Sequence, residues 1–203
     1  MNTILRASRI STPRLQLDPL SVIHAAEMVP VLAGTNLYRY IGGEAPTRGE
    51  LTGRYAAQSV GASPDGREAW LNWIIREEGA AVGFVQATVA VGGPCPTAYL
   101  AWVVGEPFQG RGIATEAARA VLDWLQRCSG GPVAAFIHPQ NQASAAVACK
   151  LGLIASGELD EDGEERWDLP GHRTGKSAAA QQKNGRCRRN SLRHLPSVVG
   201  GAS

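Results

Sequence analysis

The sequence predicts a mixed α+β domain built on a mostly antiparallel twisted sheet with flanking helices. Three observations carry that expectation. Between residues 69 and 104, three β-rich runs follow one another across turns too short for a crossover. From Ile113 the apolar period becomes helical, with Ile113, Ala117, Ala120, Val121, Trp124 and Leu125 on one face. A short buried run, Val133 to Ile137, then precedes another helical stretch, the alternation expected when helices pack on a sheet.

The elements follow in order. Arg14-Leu15-Gln16-Leu17 alternates polar and apolar residues and reads as an opening strand, ended by Asp18-Pro19. Ser21 caps an apolar-rich helix to about Leu32, with Pro30 weakening its last turn and Gly34 ending it. Tyr38 and Tyr40 then share a strand-like face. Thr47 and Glu50 have capping-box spacing for a helix to about Val60. After the turn Ser63-Pro64-Asp65-Gly66 come strands Ala69–Ile75, Ala81–Val91 and Thr97–Val104. Trp70 and Trp73, three apart, face opposite sides of the first. Gly130-Gly131-Pro132 ends the helix begun at Ile113. Asn141 to Leu151 forms the next, stopped at Gly152, and Glu158 to Trp167 reads as a hairpin turning at Asp162-Gly163.

With 203 residues, 44% hydrophobic and 19% charged, the composition is that of a soluble globular domain. No apolar run reaches the roughly 20 residues of a membrane helix, and the start lacks a secretory signal. Cys95, Cys128, Cys149 and Cys187 form no CxxC pair, which points to a reducing cytoplasm and away from zinc. The net charge of +2 conceals an asymmetry. Residues 1–172 hold 13 basic and 18 acidic side chains; residues 173–203 hold 7 basic and none acidic. A domain over 1–172 and a basic, disordered tail over 173–203 are expected. The tail has no aromatic residue for stacking, which weighs against a nucleic-acid partner.

The junction Phe108-Gln109-Gly110-Arg111-Gly112-Ile113-Ala114 passes from strand to helix across two glycines. Bare backbone there lets a ligand approach, and the first helical N–H groups carry the positive end of the helix dipole. Together they suit a phosphate. The Gly-Lys-Ser/Thr of a P-loop is absent, and an antiparallel meander comes first, unlike a Rossmann unit. The pattern Gln109-Gly110-Arg111-Gly112-Ile113-Ala114 resembles the pyrophosphate loop of the GNAT superfamily of acetyl-CoA-dependent N-acetyltransferases, Gln/Arg-x-x-Gly-x-Gly/Ala. Asn141 and Ser144 after the strand ending at Ile137, with Lys150-Leu151-Gly152-Leu153 closing the helix, resemble the branch related to the RimJ/RimL-like ribosomal-protein acetyltransferases.

The resemblance implies acetyl transfer from acetyl-CoA to a primary amine, with the diphosphate over Gln109 to Ala114. Arg111 either adds charge to that site or is a solvated loop arginine. The pantetheine arm is expected between splayed strands ending at Val104 and Ile137, with a backbone N–H of Val103 or Val104 polarising the acetyl carbonyl. Asn141 is both an N-cap and a candidate ligand of the arm. Ser144 is placed near the sulfur, or else is an ordinary first-turn serine. Many relatives carry a tyrosine where this chain has Ala148.

Glu106, just beyond the central strand, is the first candidate general base, and Glu158 the second; each also fits a solvated carboxylate. His138 before Pro139 reads as structural. The acceptor amine is open: protein N-termini, lysines, polyamines, amino acids and antibiotic amines all fit. If the acidic hairpin from Glu158 to Glu165 borders the acceptor pocket, it favours a cation. Relatives finish with an apolar strand, whereas here Glu165–His172 runs into Arg173-Thr174-Gly175-Lys176. The sheet edge is therefore expected to be bare unless Pro196–Val199 or a second copy in a homodimer covers it. A non-catalytic acyl-CoA-binding protein is the competing reading.

Overall fold

The computed structural model describes residues 5–91 and 96–171; the expected tail over 173–203 lies outside them. Strands β1 (Ile10–Ser11), β2 (Leu15–Pro19), β3 (Glu68–Glu77), β4 (Ala80–Ala90), β5 (Ala98–Val104), β6 (Val133–Ile137), β7 (Ile154–Leu159) and β8 (Glu165–Asp168) form one sheet. Their order is β1-β2-β3-β4-β5-β6-β8-β7. Only β5 and β6 run parallel; the other neighbouring pairs are antiparallel. Helices α1 (Ala25–Val31), α2 (Tyr38–Ile41), α3 (Arg48–Gln58), α4 (Ile113–Cys128) and α5 (Gln142–Leu151) flank it. The β3–β4 hairpin turns at Glu78 and Gly79, both with positive φ (51° and 84°), as a right-twisted two-residue hairpin requires.

Side-chain alternation divides the sheet into two unlike faces. Leu71, Trp73, Ile75, Val85, Ala87 and Leu100 pack with Ala117, Val121 and Leu125 of α4 and Leu151 of α5. The other face sets Ile74 and Val103 against Met28 of α1 and Leu51 and Tyr55 of α3. That second face also buries Glu68, Asn72, Gln86 and Thr88. Each large apolar side chain removed from water contributes about 1.5–3 kcal/mol, so the first face carries most of the stability. On the second face Arg76 anchors α1: its Nε donates to Asp18 Oδ2 at 2.8 Å and its NH1 to Glu27 Oε2 at 2.9 Å.

Several expectations are corrected. Strand β2 runs through Pro19, which takes its last position and needs no N–H there. The first helix begins as a three-ten turn, Val22–His24, where the Ser21 N–H donates to Nδ1 of buried His24 at 3.1 Å. Tyr38 and Tyr40 are helical, and the Tyr38 hydroxyl donates to the Leu32 carbonyl at 2.8 Å. The capping box at Thr47 and Glu50 forms as spaced. Glu165–Asp168 is β8, inserted between β6 and β7, because Asp160 to Gly163 turns the chain back inside the sheet; the strand expected after His172 falls outside the described residues. Among the described residues the edge strand on this side of the sheet is β7, and β1 is the edge on the other.

Gly83 shows how closely the sheet is drawn in beside β5. A Cβ there would lie 2.3 Å from the Val103 carbonyl oxygen and 3.0 Å from the Val104 Cα. Gly83→Ala must displace the end of β5 and is expected to cost about 1–3 kcal/mol, read as a lower urea midpoint at unchanged m value.

Candidate cofactor and acceptor site

Strands β5 and β6 pair only at Ala98↔Val133 and Tyr99↔Ala134, then part. The Ala98 N–H donates to Pro132 on the β6 side, at 2.9 Å, and the Gly105 N–H donates to Val82 on the β4 side, also at 2.9 Å. Strict alternation between these two points turns the amides of Leu100, Trp102 and Val104 toward the gap. Of the two carbonyl-polarising amides expected from sequence, Val104 faces the gap and Val103 faces β4. The register of the β4–β5 ladder decides between them, and no side chain signals it.

A crevice of about 100 Å³ occupies this gap. Leu100, Ala101 and Trp102 line one side, Ile137 and His138 the other, and Asn141 and Ser144 stand at the start of α5. Asn141 Oδ1 accepts from the Ser144 N–H at 3.1 Å. The cap uses the carbonyl oxygen of that amide and not its nitrogen. Arg119 of α4 donates to the carbonyls of Leu151, at 3.0 Å, and of Lys150, binding the two helices that frame the crevice. Ala148 is wholly buried in the core, so this position supplies no acid.

At the parted ends lies the glycine loop. Gly110 and Gly112 have φ of 74° and 78°, left-handed values that other residues rarely adopt, and Gly112 is the N-cap of α4 without a side-chain cap bond. Gln109 Nε2 donates to the Val104 carbonyl at 2.9 Å, fastening the loop to β5. Ile113 is buried beneath the loop and Ala114 half-buried. The Arg111 guanidinium, half exposed, pairs with Glu77 at 2.9 Å. A residue not singled out from sequence, Arg14, holds the loop from the other side. Its NH1 and NH2 both lie 3.3 Å from the Arg111 carbonyl, and its NH2 pairs with Glu116 at 2.6 Å. Thr12 Oγ1 also donates to Glu116, at 2.6 Å. Burial alone would raise the Glu116 pKa, but the Thr12 hydroxyl and Arg14 guanidinium outweigh it and hold the carboxyl below its ordinary value.

The carboxylates named from sequence take different places in the fold. Glu106 Oε1 accepts from the Asn36 N–H at 2.8 Å and packs against Gly34, so its carboxylate braces the loop before α2. Glu158 is exposed on β7. Asp160 and Glu164, two residues further into the same hairpin, line the crevice instead, together with Glu68, Thr88 and Tyr99. Glu68 and Glu164 are more than nine-tenths buried. His138 is also at the crevice, with Tyr40 beside its ring at 5.3 Å and Nδ1 accepting from the Gln140 N–H at 3.2 Å. The signal for Glu68 was present in its spacing from Asn72, four residues on and hence on the same face of the strand.

Residues 14–154 match the family model for the acetyltransferase (GNAT) domain. This chain belongs to the GNAT family. Solved structures agree in fold. A GNAT-family acetyltransferase from Bordetella pertussis is 26% identical with a TM-score of 0.56, covering 80% of this chain and 98% of its own. The ribosomal L7/L12 α-N-protein acetyltransferase RimL has 17% identity and a TM-score of 0.66, with 79% and 93% covered. The microcin C7 self-immunity acetyltransferase MccE, solved with acetyl-CoA and AMP, has 15% identity and a TM-score of 0.66, with 77% and 92% covered. No curated protein sequence matches.

The GNAT cofactor is acetyl-CoA, and the residues present fit it. Two left-handed glycines and an uncapped helix N-terminus suit the diphosphate, and the β5/β6 gap suits an extended arm that takes up backbone groups. Among the described residues no helix is long and apolar enough to cross a membrane.

The Glu116 shift fixes a pH dependence. A carboxyl whose folded pKa is depressed stabilises above its unfolded value, and that contribution is lost as pH falls through the folded pKa. Folding stability is therefore expected to fall in acid as Glu116 is protonated, below the ordinary glutamate range. Glu116→Gln should be less stable at neutral pH with a flatter acid limb, as read by thermal melting across pH.

Proposed function

We propose that the protein is an N-acetyltransferase that moves acetyl from acetyl-CoA directly to a primary amine within a ternary complex, and that the amine is cationic. One observation carries the reading. The crevice that begins between β5 and β6, beside Asn141 and Ser144, continues to three carboxylates, Glu68, Asp160 and Glu164. Acetyl-CoA supplies a thioester carbonyl. The transfer forms a C–N bond, breaks the C–S bond and releases one proton from the amine.

Each group has a task in that chemistry. The carboxylates attract a protonated amine into a recess of low polarisability, where their field is least screened. One of them then takes the proton released as the amine becomes neutral, a task that the sequence had suggested for Glu106. The N–H groups of Trp102 and Val104 are turned to where the carbonyl oxygen gains charge. Gln109 to Ala114 hold the diphosphate, Asn141 holds the arm through its amide nitrogen, and Ser144 donates to the departing sulfur. With Ala148 in the usual tyrosine position, Ser144 is the hydroxyl at hand. The RimJ/RimL-like branch stays part of this proposal, as does a cytoplasmic setting. The competing reading is a non-catalytic acyl-CoA-binding protein, which drew on the sequence after His172; thiol release separates the two.

Thiol release from acetyl-CoA across a panel of amines tests the proposal, with cationic acceptors expected to turn over and neutral or acidic ones not. Turnover with none of them leaves a CoA-binding protein. Gly112→Asp, which keeps a residue type tolerant of left-handed backbone, should abolish CoA binding in calorimetry while the protein stays folded. Ser144→Ala should lower kcat more than it raises the acetyl-CoA KM, because thiolate charge develops only toward the transition state. The reverse pattern removes Ser144 from the chemistry.

A further inference from the structure

The sheet face under α1 and α3 is apolar except for a buried polar stripe. Asn72, Gln86 and Thr88 are 7%, 5% and 5% exposed. Asn72 on β3 stands directly opposite Gln86 on β4, and Gln86 stands opposite Ala101 on β5. The stripe therefore runs crosswise, from the parted strands toward α3. At its far end lies a second, smaller cavity of about 20 Å³, room for a single oxygen-sized group, bounded by Leu20, Leu32, Arg54, Tyr55, Asn72 and Gln86. Gln86 is a wall of both cavities.

Among the described residues, two polar atoms of the residues lining this recess have no hydrogen-bond partner: Tyr55 Oη and Asn72 Nδ2. Their residues are 3% and 7% exposed. Buried polar atoms are nearly always paired, because leaving one unmade forfeits its hydration without return. Burial also pushes the Tyr55 hydroxyl well above its ordinary pKa, so it stays a neutral O–H donor. An amide nitrogen and a phenol hydroxyl can both donate to one oxygen. Arg54 on the same wall disfavours an ammonium there.

We infer that this second cavity is a specificity subsite of the acceptor, taking a hydroxyl, ether or carbonyl oxygen that accepts from Asn72 and Tyr55. The inference rests on acetyl transfer to an amine at the first cavity. Neighbouring strands lie about 4.8 Å apart, so Asn72, two strands from β5, stands roughly 10 Å from the backbone that faces the thioester. The favoured substrates are cationic amines carrying an accepting oxygen about 10 Å from the reacting nitrogen, ahead of plain alkyl polyamines. Positive charge meets Glu68, Asp160 and Glu164, and oxygen meets the donors beyond Gln86.

A matched pair of acceptors reads this directly: an ether-spaced diamine and the alkane diamine of equal length. The wild-type protein should show a KM about five- to tenfold lower for the ether-spaced diamine, the weight of one or two neutral hydrogen bonds. Tyr55→Phe should erase that preference without moving the acetyl-CoA KM, and Asn72→Ala gives the same readout if the first variant is poorly folded. Equal KM values in the wild type, or a preference that survives in folded Tyr55→Phe, overturn the subsite. So does a change confined to thermal stability, which would mean that solvent fills the recess. Absence of thiol release with either diamine, and with every other amine, would instead reject the acetyl-transfer reading on which the subsite depends.

Discussion

The parting of β5 and β6 is the constraint on which the rest of the structure depends. Two parallel strands need a crossover, and here that crossover is α4 with the glycine loop at its head. Because the strands separate after two paired positions, the loop arrives where backbone groups of β5 have been released from the ladder. Separation is tolerable only if the outer sides stay paired, and they do: β4 holds β5 along its length, and β8 holds β6. Gln109 ties the loop to the last carbonyl of β5, while Arg14 and Glu116 tie it to the turn after β1. The opening is thus a rigid feature of the sheet, fixed by its neighbours on both sides.

The two faces of the sheet divide the labour. The face under α4 and α5 is closely packed and apolar, and it fixes the frame of the glycine loop and the α5 N-terminus. The face under α1 and α3 carries the polar stripe and the buried carboxylates, groups whose removal from water costs stability. Such a concentration of buried polarity is characteristic of sites where stability has been exchanged for recognition.

Local features were legible in the sequence. The strand runs, the capping box at Thr47, the Asn141 cap and the glycine loop each depend on residues near in sequence, where period and turn chemistry speak directly. Features that depend on long-range registry were not. Glu106 sits beyond the central strand as expected, yet its carboxylate is engaged by Asn36, seventy residues away. Arg14 reads as one polar position in a short strand, and only the packing of β2 beside α4 brings it to Arg111. Within the acidic hairpin the charge run was visible, but which carboxylates face inward depends on the Asp160–Glu164 turn. Tyr38 and Tyr40 alternate like strand residues, and the helical turn overrides that short pattern.

The outer strand has a consequence for how copies of this protein meet. Strand β7 is exposed along its length, with Ile154 and Leu159 on it, and a straight edge of that kind invites another chain to add a strand. Yet its register with β8 slips between Ala155 and Leu159, and Gly157 within the slip has a φ of 76°. The bulge breaks the row of outward amides and carbonyls into short pieces, and Glu158 sets a charge among them. An incoming strand finds no run of donors and acceptors long enough to zip along. The irregular hairpin thereby blunts this edge of the sheet against the addition of a further strand.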